Sequence, residues 1–375
     1  MLRINKISIP QIFSTLLLSR MIALFTFMLP TSSFLASGDK IITPLFFALF
    51  ELFYSFTVCF FIKKTDNLGI PEKASSISPF FGKTTALFYA FVFIWFAGIN
   101  ISRFELFIST VMFPNSELYL MTVILLAAAF YSALKGIEAI GRASVILAAL
   151  LGVVIVFIAS TVIGGFEYTN LKPVFTQGLS PILKFSFYIS ARASEFITLY
   201  INAPKINGNL RKLCIPWILT VTLISFSVLF ILSGVTGEYG DNQLFPLYTL
   251  TVIAKFGIFE RLDDVLTGMW VLCSFIQLSY LLLTCFSALE QGFGKIKKIP
   301  VYLAASAGIF TVYLFASTTV TVFSEIISSR FNDIIFIIAL LIIPFLTVLL
   351  NRKKQKKALP SVRKNIALQQ KKENT

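Results

Sequence analysis

Histidine is absent from the 375 residues. Its absence removes the commonest metal ligand and the usual acid–base group at neutral pH. Charge is scarce as well. Only 13% of residues are Asp, Glu, Lys or Arg, against about a quarter in soluble domains. Cysteine is sparse: Cys59, Cys214, Cys273 and Cys285 all fall in apolar runs, and none has CxxC spacing. Neither a disulfide framework nor a metal site is indicated, and the four read as small buried side chains. There is also no paired-aspartate motif and no nucleophile elbow. The chain is therefore not read as an enzyme, and no cofactor is expected.

What is present is apolar surface. Hydrophobic residues make up 57% of the chain, Phe alone supplies 41, and mean hydropathy is +0.84. A soluble core of this size does not need so much, whereas a bilayer is its natural solvent. Ten runs are long enough to span, at roughly 10–30, 41–62, 84–112, 118–135, 142–163, 182–203, 212–236, 264–290, 300–325 and 332–350. The fold class expected is an all-α integral membrane protein with ten transmembrane helices. Arg20 interrupts the first run, and "FLASG" is a weak cleavage site, so this run is expected to remain as a span.

Lys and Arg set the orientation. With the N-terminus in the cytoplasm, 23 of the 32 basic residues fall on inside segments and 5 on outside ones, while Arg20, Arg103, Lys184 and Arg192 lie within spans. Both termini are thus expected inside. The net charge of +14 could suggest nucleic acid, but its distribution argues against that partner. Nine basic residues sit in the 351–375 tail, and most others flank apolar runs. The tail reads as a cytoplasmic topology anchor touching anionic lipid. Between the seventh and eighth runs, Phe245, Tyr248, Val252, Phe256 and Phe259 recur at three- and four-residue steps, one face of a helix too short to span. This helix is expected at the outer surface, as a cap on the bundle or as a lid.

Charges at mid-bilayer depth need a reason. Arg20, Glu51 and Arg192 each sit at the centre of a run, and each would cost about 2.5–3.5 kcal/mol facing lipid. They must face the bundle interior, a water-filled cavity or one another. Arg192 and Glu195 are three residues apart, so a continuous helix would put them on one face as a pair. Arg103 and Glu105 point to different sides of the third run.

Small and hydroxyl residues run beside these charges. Ser186, Ser190, Ser194 and Thr198 are four apart in the sixth run, and Thr15, Ser19 and Ala23 are four apart in the first. Such stripes let helices approach closely. In both runs the stripe passes an arginine, and a proline follows on the exit side (Pro30 and Pro204). The two runs cross in opposite directions. Two inverted five-helix repeats, each with a broken first helix, would produce this correspondence. Repeat one would cover about 10–163 and repeat two about 182–350, forming one membrane domain over 1–350. Residues expected to line a midplane ligand site are Ser19, Arg20, Ala23, Asn100, Ser190, Arg192, Ser194 and Gln277. Glu51, Arg103, Glu105 and Glu195 are expected as buried ion-pair or coupling groups. Two readings stand for this polar lining: a site for a small zwitterionic ligand, or a structural cluster that holds the bundle.

Two segments carry a resemblance. "FPLYTLTVIAKFGIFERLDDVLTGMWVL" (245–272) and "KGIEAIGRAS" (135–144) resemble the spore germination permeases, the B subunits of germinant receptors within the amino acid–polyamine–organocation superfamily. The resemblance implies a LeuT-like 5+5 inverted repeat in the spore inner membrane, an amino acid-like nutrient ligand, and A and C subunits as partners. The alternative within the same fold is a secondary active amino acid transporter, with proton coupling assigned to Glu51, Glu105 or Glu195. The sequence departs from relatives in the first run, where "TLLLSRMIALFTFML" has no glycine and carries Arg20.

Overall fold

A computed structural model describes residues 6–25, 35, 37–112, 119–172, 174–175, 178–192, 194–241, 243–256, 262–352 and 354. The described residues are helical almost throughout. An apolar segment in lipid must satisfy its own backbone groups, and a helix does so within one strand of chain. Among the described residues, seven helical stretches are long and apolar enough to cross a membrane: Gly38–Lys64, Pro79–Val111, Ile137–Gly165, Leu210–Gly240, Asp263–Phe293, Lys298–Ala316 and Val320–Arg352. Two apolar helices are shorter, Ile9–Leu24 and Tyr119–Lys135.

In chain order the long elements are α1 (Ile9–Phe25), α2 (Ser37–Lys64), α4 (Pro79–Phe107, with a π-helical turn to Met112), α5 (Tyr119–Lys135) and α6 (Ile137–Val162). A short α3 (Ile70–Ile77) precedes α4. Pro71 and Pro79 stand in the first turns of α3 and α4, where a missing N–H costs nothing. Gly136, at φ 94, makes the one-residue corner between α5 and α6, a conformation that a side chain would strain.

The sixth expected span is two helices, α7 (Leu179–Ser190) and α8 (Ser194–Asn202). Then come α9 (Leu210–Asp241), the short α10 (Pro246–Ile253), α11 (Asp263–Phe293), α12 (Lys298–Ala316), α13 (Val320–Ser328) and α14 (Arg330–Ile337), which continues through a π-helical turn at Ile338–Ile342. α11 is enclosed on nearly all sides and packs against α4 along its length, whereas α6 shows most of its apolar surface to the surroundings. The central site lies where α1, α4, α8 and α11 meet.

Two expectations differ from the structure. α1 is unbroken through Arg20 to Phe25. The sixth run, by contrast, is interrupted, between α7 and α8. Pro30 lies outside the described residues. The chain after α11 divides at Ser329, inside the expected gap of 325–332, and also at Ser317–Thr319. The second of these divisions is made of small, uncharged residues that a hydropathy reading passes over. Residues 351–375, expected as a basic tail, lie mostly outside the described residues; Lys354 donates to the carbonyls of Ser76 and Ile77.

Hydroxyls knit the helices where the small-residue stripes run. Thr15 Oγ1 donates to Gln11 O and to Ser144 Oγ on α6. Ser186 Oγ donates to Thr43 O on α2 at 3.2 Å. The π-helical turn after α14 frees two carbonyls, and tyrosines answer them: Tyr89 Oη donates to Ala339 O at 2.8 Å, and Tyr200 Oη to Leu340 O at 2.9 Å. At one end of the bundle β1 (Ile7–Ser8) pairs in parallel with β2 (Ile206–Asn207), Ile7 opposite Ile206 and Ser8 opposite Asn207. This two-residue ladder ties the start of α1 to the chain leaving α8.

The loop helix α10 packs as a cap. Phe245 and Tyr248 sit edge-on to Phe107 of α4, and Phe107 lies over Trp270 of α11 with ring centroids 3.9 Å apart. Tyr248 Oη donates to Asp263 at 2.9 Å. Phe256 meets Phe157 of α6. Phe259 lies outside the described residues.

Candidate functional site: a closed polar cavity among buried charges

The helix break between α7 and α8 falls in "SARAS", which contains no glycine or proline. Its backbone turns tightly: Arg192 N–H donates to Ile189 O, and Ser194 N–H to Arg192 O. What holds it is Arg192. Nε and Nη2 donate to Ile327 O, the penultimate carbonyl of α13, at 3.1 and 2.8 Å. Nη1 donates to Tyr188 O at 2.6 Å and to Asp333 Oδ1 at 2.9 Å. The guanidinium lies over the Tyr188 ring, 3.5 Å from its centroid.

Because the helix is broken here, Arg192 and Glu195 do not share a face as a continuous helix would make them. Arg192 pairs with Asp333, which the sequence did not point to. Asn332 completes this corner. Its Nδ2 donates to Ile326 O at 2.7 Å, and its Oδ1 accepts from Trp95 Nε1 at 2.8 Å. The break between α13 and α14 is thus fixed from α4 and from α7–α8.

A second pair lies behind the cavity. Arg20 Nη2 meets Glu51 Oε1 at 2.7 Å, with Glu51 fully buried and Arg20 nearly so. Phe47 stacks beneath the Arg20 guanidinium at 5.7 Å. Such a pair takes two ions out of water, and its stability depends on both partners being present.

The cavity between these pairs is lined by Ser19, Arg20 and Ala23 of α1, Phe96, Ile99, Asn100 and Arg103 of α4, Arg192 and Glu195, Gln277 of α11, and Ile327 and Asn332. Of the expected lining, Ser19, Arg20, Ala23, Asn100, Arg192 and Gln277 are therefore brought together. Ser190 and Ser194 are not; Ser190 faces α2, where its hydroxyl meets Tyr54 Oη at 3.2 Å. Of the expected ion-pair groups, Arg103 and Glu195 face the cavity, and Glu51 stands behind Arg20. Glu105 points the other way, accepting from Thr122 of α5 at 2.7 Å, as its two-residue offset from Arg103 requires. Asn332, Ile327, Phe96 and Ile99 were missed. For Asn332 the available signal was the polar "FND" triplet at an apolar run's edge.

The polar groups around this cavity are only partly satisfied. Arg20 Nη1, Arg103 Nε, Glu195 Oε2 and Gln277 Oε1 are buried without a hydrogen-bond partner, as is Glu51 Oε2 behind them. Gln277 Nε2 donates to Ser19 O at 3.2 Å and bridges α11 to α1 across one wall. A buried donor or acceptor left unmade costs about 1–3 kcal/mol, and more if charged. Unspent donors and acceptors of both signs thus converge on one place. The cavity they surround measures about 20 Å³, room for about one water. Among the described residues no cluster of Cys, Asp or Glu suited to a metal ion is found.

Comparison with known proteins places this geometry. The chain is 24% identical over 303 residues to YfkT of Bacillus subtilis (strain 168), a protein named for spore germination, covering 78% of this chain and 81% of that one. Its structure resembles that of a nucleobase–cation symport-1 family transporter in a closed conformation with bromovinylhydantoin bound, with a TM-score of 0.62 and 94% of both chains covered at 13% identity. At that identity the likeness speaks for the fold, that of a membrane transporter. The family model described as spore germination protein matches residues 6–321, and the chain belongs to the spore germination permease family.

Proposed function

We propose that the chain is the membrane subunit of a spore germinant receptor that binds a small amino acid-like nutrient in the central cavity. The observation that carries this reading is the set of buried polar atoms left without a hydrogen-bond partner on the cavity wall: Arg103 Nε and Arg20 Nη1 as donors, Glu195 Oε2 and Gln277 Oε1 as acceptors. A zwitterion presents an anion and a cation a few ångströms apart and would satisfy both kinds at once. The space of about 20 Å³ is too small for such a ligand. Binding therefore requires the wall to open, and the Gln277–Ser19 bridge, a single neutral hydrogen bond of 3.2 Å between α11 and α1, is one contact that would have to give way.

In this reading ten spans form two inverted repeats, about 10–163 and 182–350, with both termini in the cytoplasm of the spore inner membrane. The receptor's A and C subunits receive the movement. Ten spans rest on the seven long helices, the two shorter ones and the α7–α8 pair. Transport without signalling is the second reading. The half-satisfied carboxylates Glu51, Glu105 and Glu195 favour it as proton carriers.

The test is direct. Purified protein in nanodiscs is titrated with each proteinogenic L-amino acid by calorimetry, beside Glu195→Gln and Arg103→Gln. Binding of at least one amino acid, lost in both variants, supports the reading; no binding across the panel ends it. Uptake of the bound amino acid into proteoliposomes, driven by an imposed pH gradient, separates transport from sensing.

A further inference from the structure

A second cavity, of about 540 Å³, opens at the end of the bundle that carries the β1–β2 ladder. α2 and α9, packed side by side, frame it. Its wall includes Lys63 of α2, Arg211 of α9, and Asn67, Gly208 and Asn209 from the turns beside them. No Asp or Glu is on that wall. Other cations of this end are engaged: Lys73 pairs with Asp66 at 2.7 Å, and Lys205 donates to Ser287. Lys63 and Arg211 are exposed, and among the described residues neither meets a carboxylate. Two cations thus share a cavity that has no anion of its own.

The sides of α2 and α9 that lead away from this cavity are apolar and exposed. Leu52, Phe56 and Lys63 follow one side of α2, and Arg211, Ile215 and Leu219 stand four apart on α9. From Lys63 to Leu52 the helix rises about 16 Å, about half the hydrocarbon thickness of a bilayer. The apolar stripe on α2 is therefore as deep as one leaflet, and a cation stands at its head. Arginine offers a fork that takes two phosphate oxygens, and lysine adds a point charge. Soluble phosphates could use the cations but not the stripes. A phospholipid uses both, and basic pockets between membrane helices are suited to such headgroups.

We propose that the cavity between α2 and α9 is a site for one anionic phospholipid of the adjoining leaflet. Its phosphate lies between Lys63 and Arg211, and its acyl chains run along Leu52, Phe56, Ile215 and Leu219. Pro204 and Ile206 belong to the same wall, so the headgroup rests against the segment that pairs with β1.

The experiment is native mass spectrometry of the full chain in detergent, titrated with phosphatidylglycerol or phosphatidylcholine. One phosphatidylglycerol is expected to bind in preference to phosphatidylcholine. Lys63→Gln/Arg211→Gln should weaken it about 25-fold, at about fivefold for each basic residue. Lys64→Gln/Lys212→Gln removes the same charge from neighbours that are off the wall and should bind as the parent does. All four side chains are exposed, so both variants should keep the parent's melting temperature. Equal weakening in the two double variants would assign the lipid to a diffuse basic surface and overturn the site. Equal binding of phosphatidylcholine would overturn it too. Displacement of the phosphatidylglycerol by excess inorganic phosphate or glycerol 3-phosphate would make the occupant a soluble phosphate and overturn the lipid.

Discussion

The guanidinium of Arg192 and the carboxylate of Asp333 meet at 2.9 Å across two helix breaks, one between α7 and α8 and the other between α13 and α14. The same arginine holds Ile327 O and stacks on Tyr188. Two interrupted helices are therefore pinned by one side chain. A double-mutant cycle of Arg192→Gln and Asp333→Asn is expected to give a coupling energy of about 0.5–3 kcal/mol, the range for residues in direct contact. Thermal unfolding of the four proteins in detergent measures it. Additive effects would mean that the pair contributes nothing of its own.

The Arg20–Glu51 pair should be far less tolerant of a single loss than a surface pair. Arg20→Ala leaves the buried Glu51 carboxyl without its partner, and breaking a buried pair on one side costs about 3–5 kcal/mol. Arg142→Ala removes the partner of Glu138 in an exposed i,i+4 pair, worth about 0.3–0.5 kcal/mol. Membrane-inserted yield and melting temperature should separate the two variants clearly. Arg20→Ala/Glu51→Gln, which replaces the stranded carboxyl with a neutral amide, should recover part of the loss.

Gly98 is a packing position. A Cβ there would run into Val312 Cγ1 of α12 and come within 3.3 Å of Ile309 O, so α4 and α12 approach closely at this point. Gly98→Val is expected to lower the melting temperature, with overpacking of about 1–3 kcal/mol. Pairing it with Val312→Ala should restore most of the loss, and failure of that rescue would show that Gly98 serves something other than this contact.

Lys205 supplies a pH dependence. It lies beyond α8, and burial lowers its pKa from the ordinary 10.5, with Lys298 acting the same way and Glu290 in opposition. Its ammonium donates to Ser287. Between the lowered value and 10.5 the unfolded chain holds a proton that the folded chain does not, so stability rises with pH across that window. Below it both states are protonated and the full penalty of burying the charge applies. Lys205→Gln is expected to flatten this part of the stability profile, read as melting temperature from pH 8 to 10.5. An unchanged slope would assign the dependence to other groups.

Much of the fold was legible because it depends on local pattern. The apolar runs up to α11 became helices whose ends lie within a few residues of those expected, and Arg103 and Glu105 diverge as their spacing dictates. The additional division at Ser317–Thr319 was not legible, since these three residues carry no charge to mark it, whereas the one at Ser329 falls in the gap expected between the last two runs. Nor was the partner of Arg192. Helical spacing pointed to Glu195, three residues away, but the break in "SARAS" rotates the two apart, and Asp333 arrives from 141 positions along the chain. The break itself has no glycine or proline to announce it. It persists because distant carbonyls and a carboxylate accept what Arg192 offers. The lining of the central cavity was mostly foreseeable from polar residues at mid-depth. The collapsed size of that cavity depends on how all the helices pack and appears in no single segment.

The two-residue ladder between Ile7 and Ile206 makes α1 and α8 a single lever. Ser19 and Arg20 ride on one arm and Glu195 on the other, and neither arm can swing at that end without dragging its companion. A protein that gripped the first few residues of this chain would consequently be pulling on opposite sides of the central chamber at once.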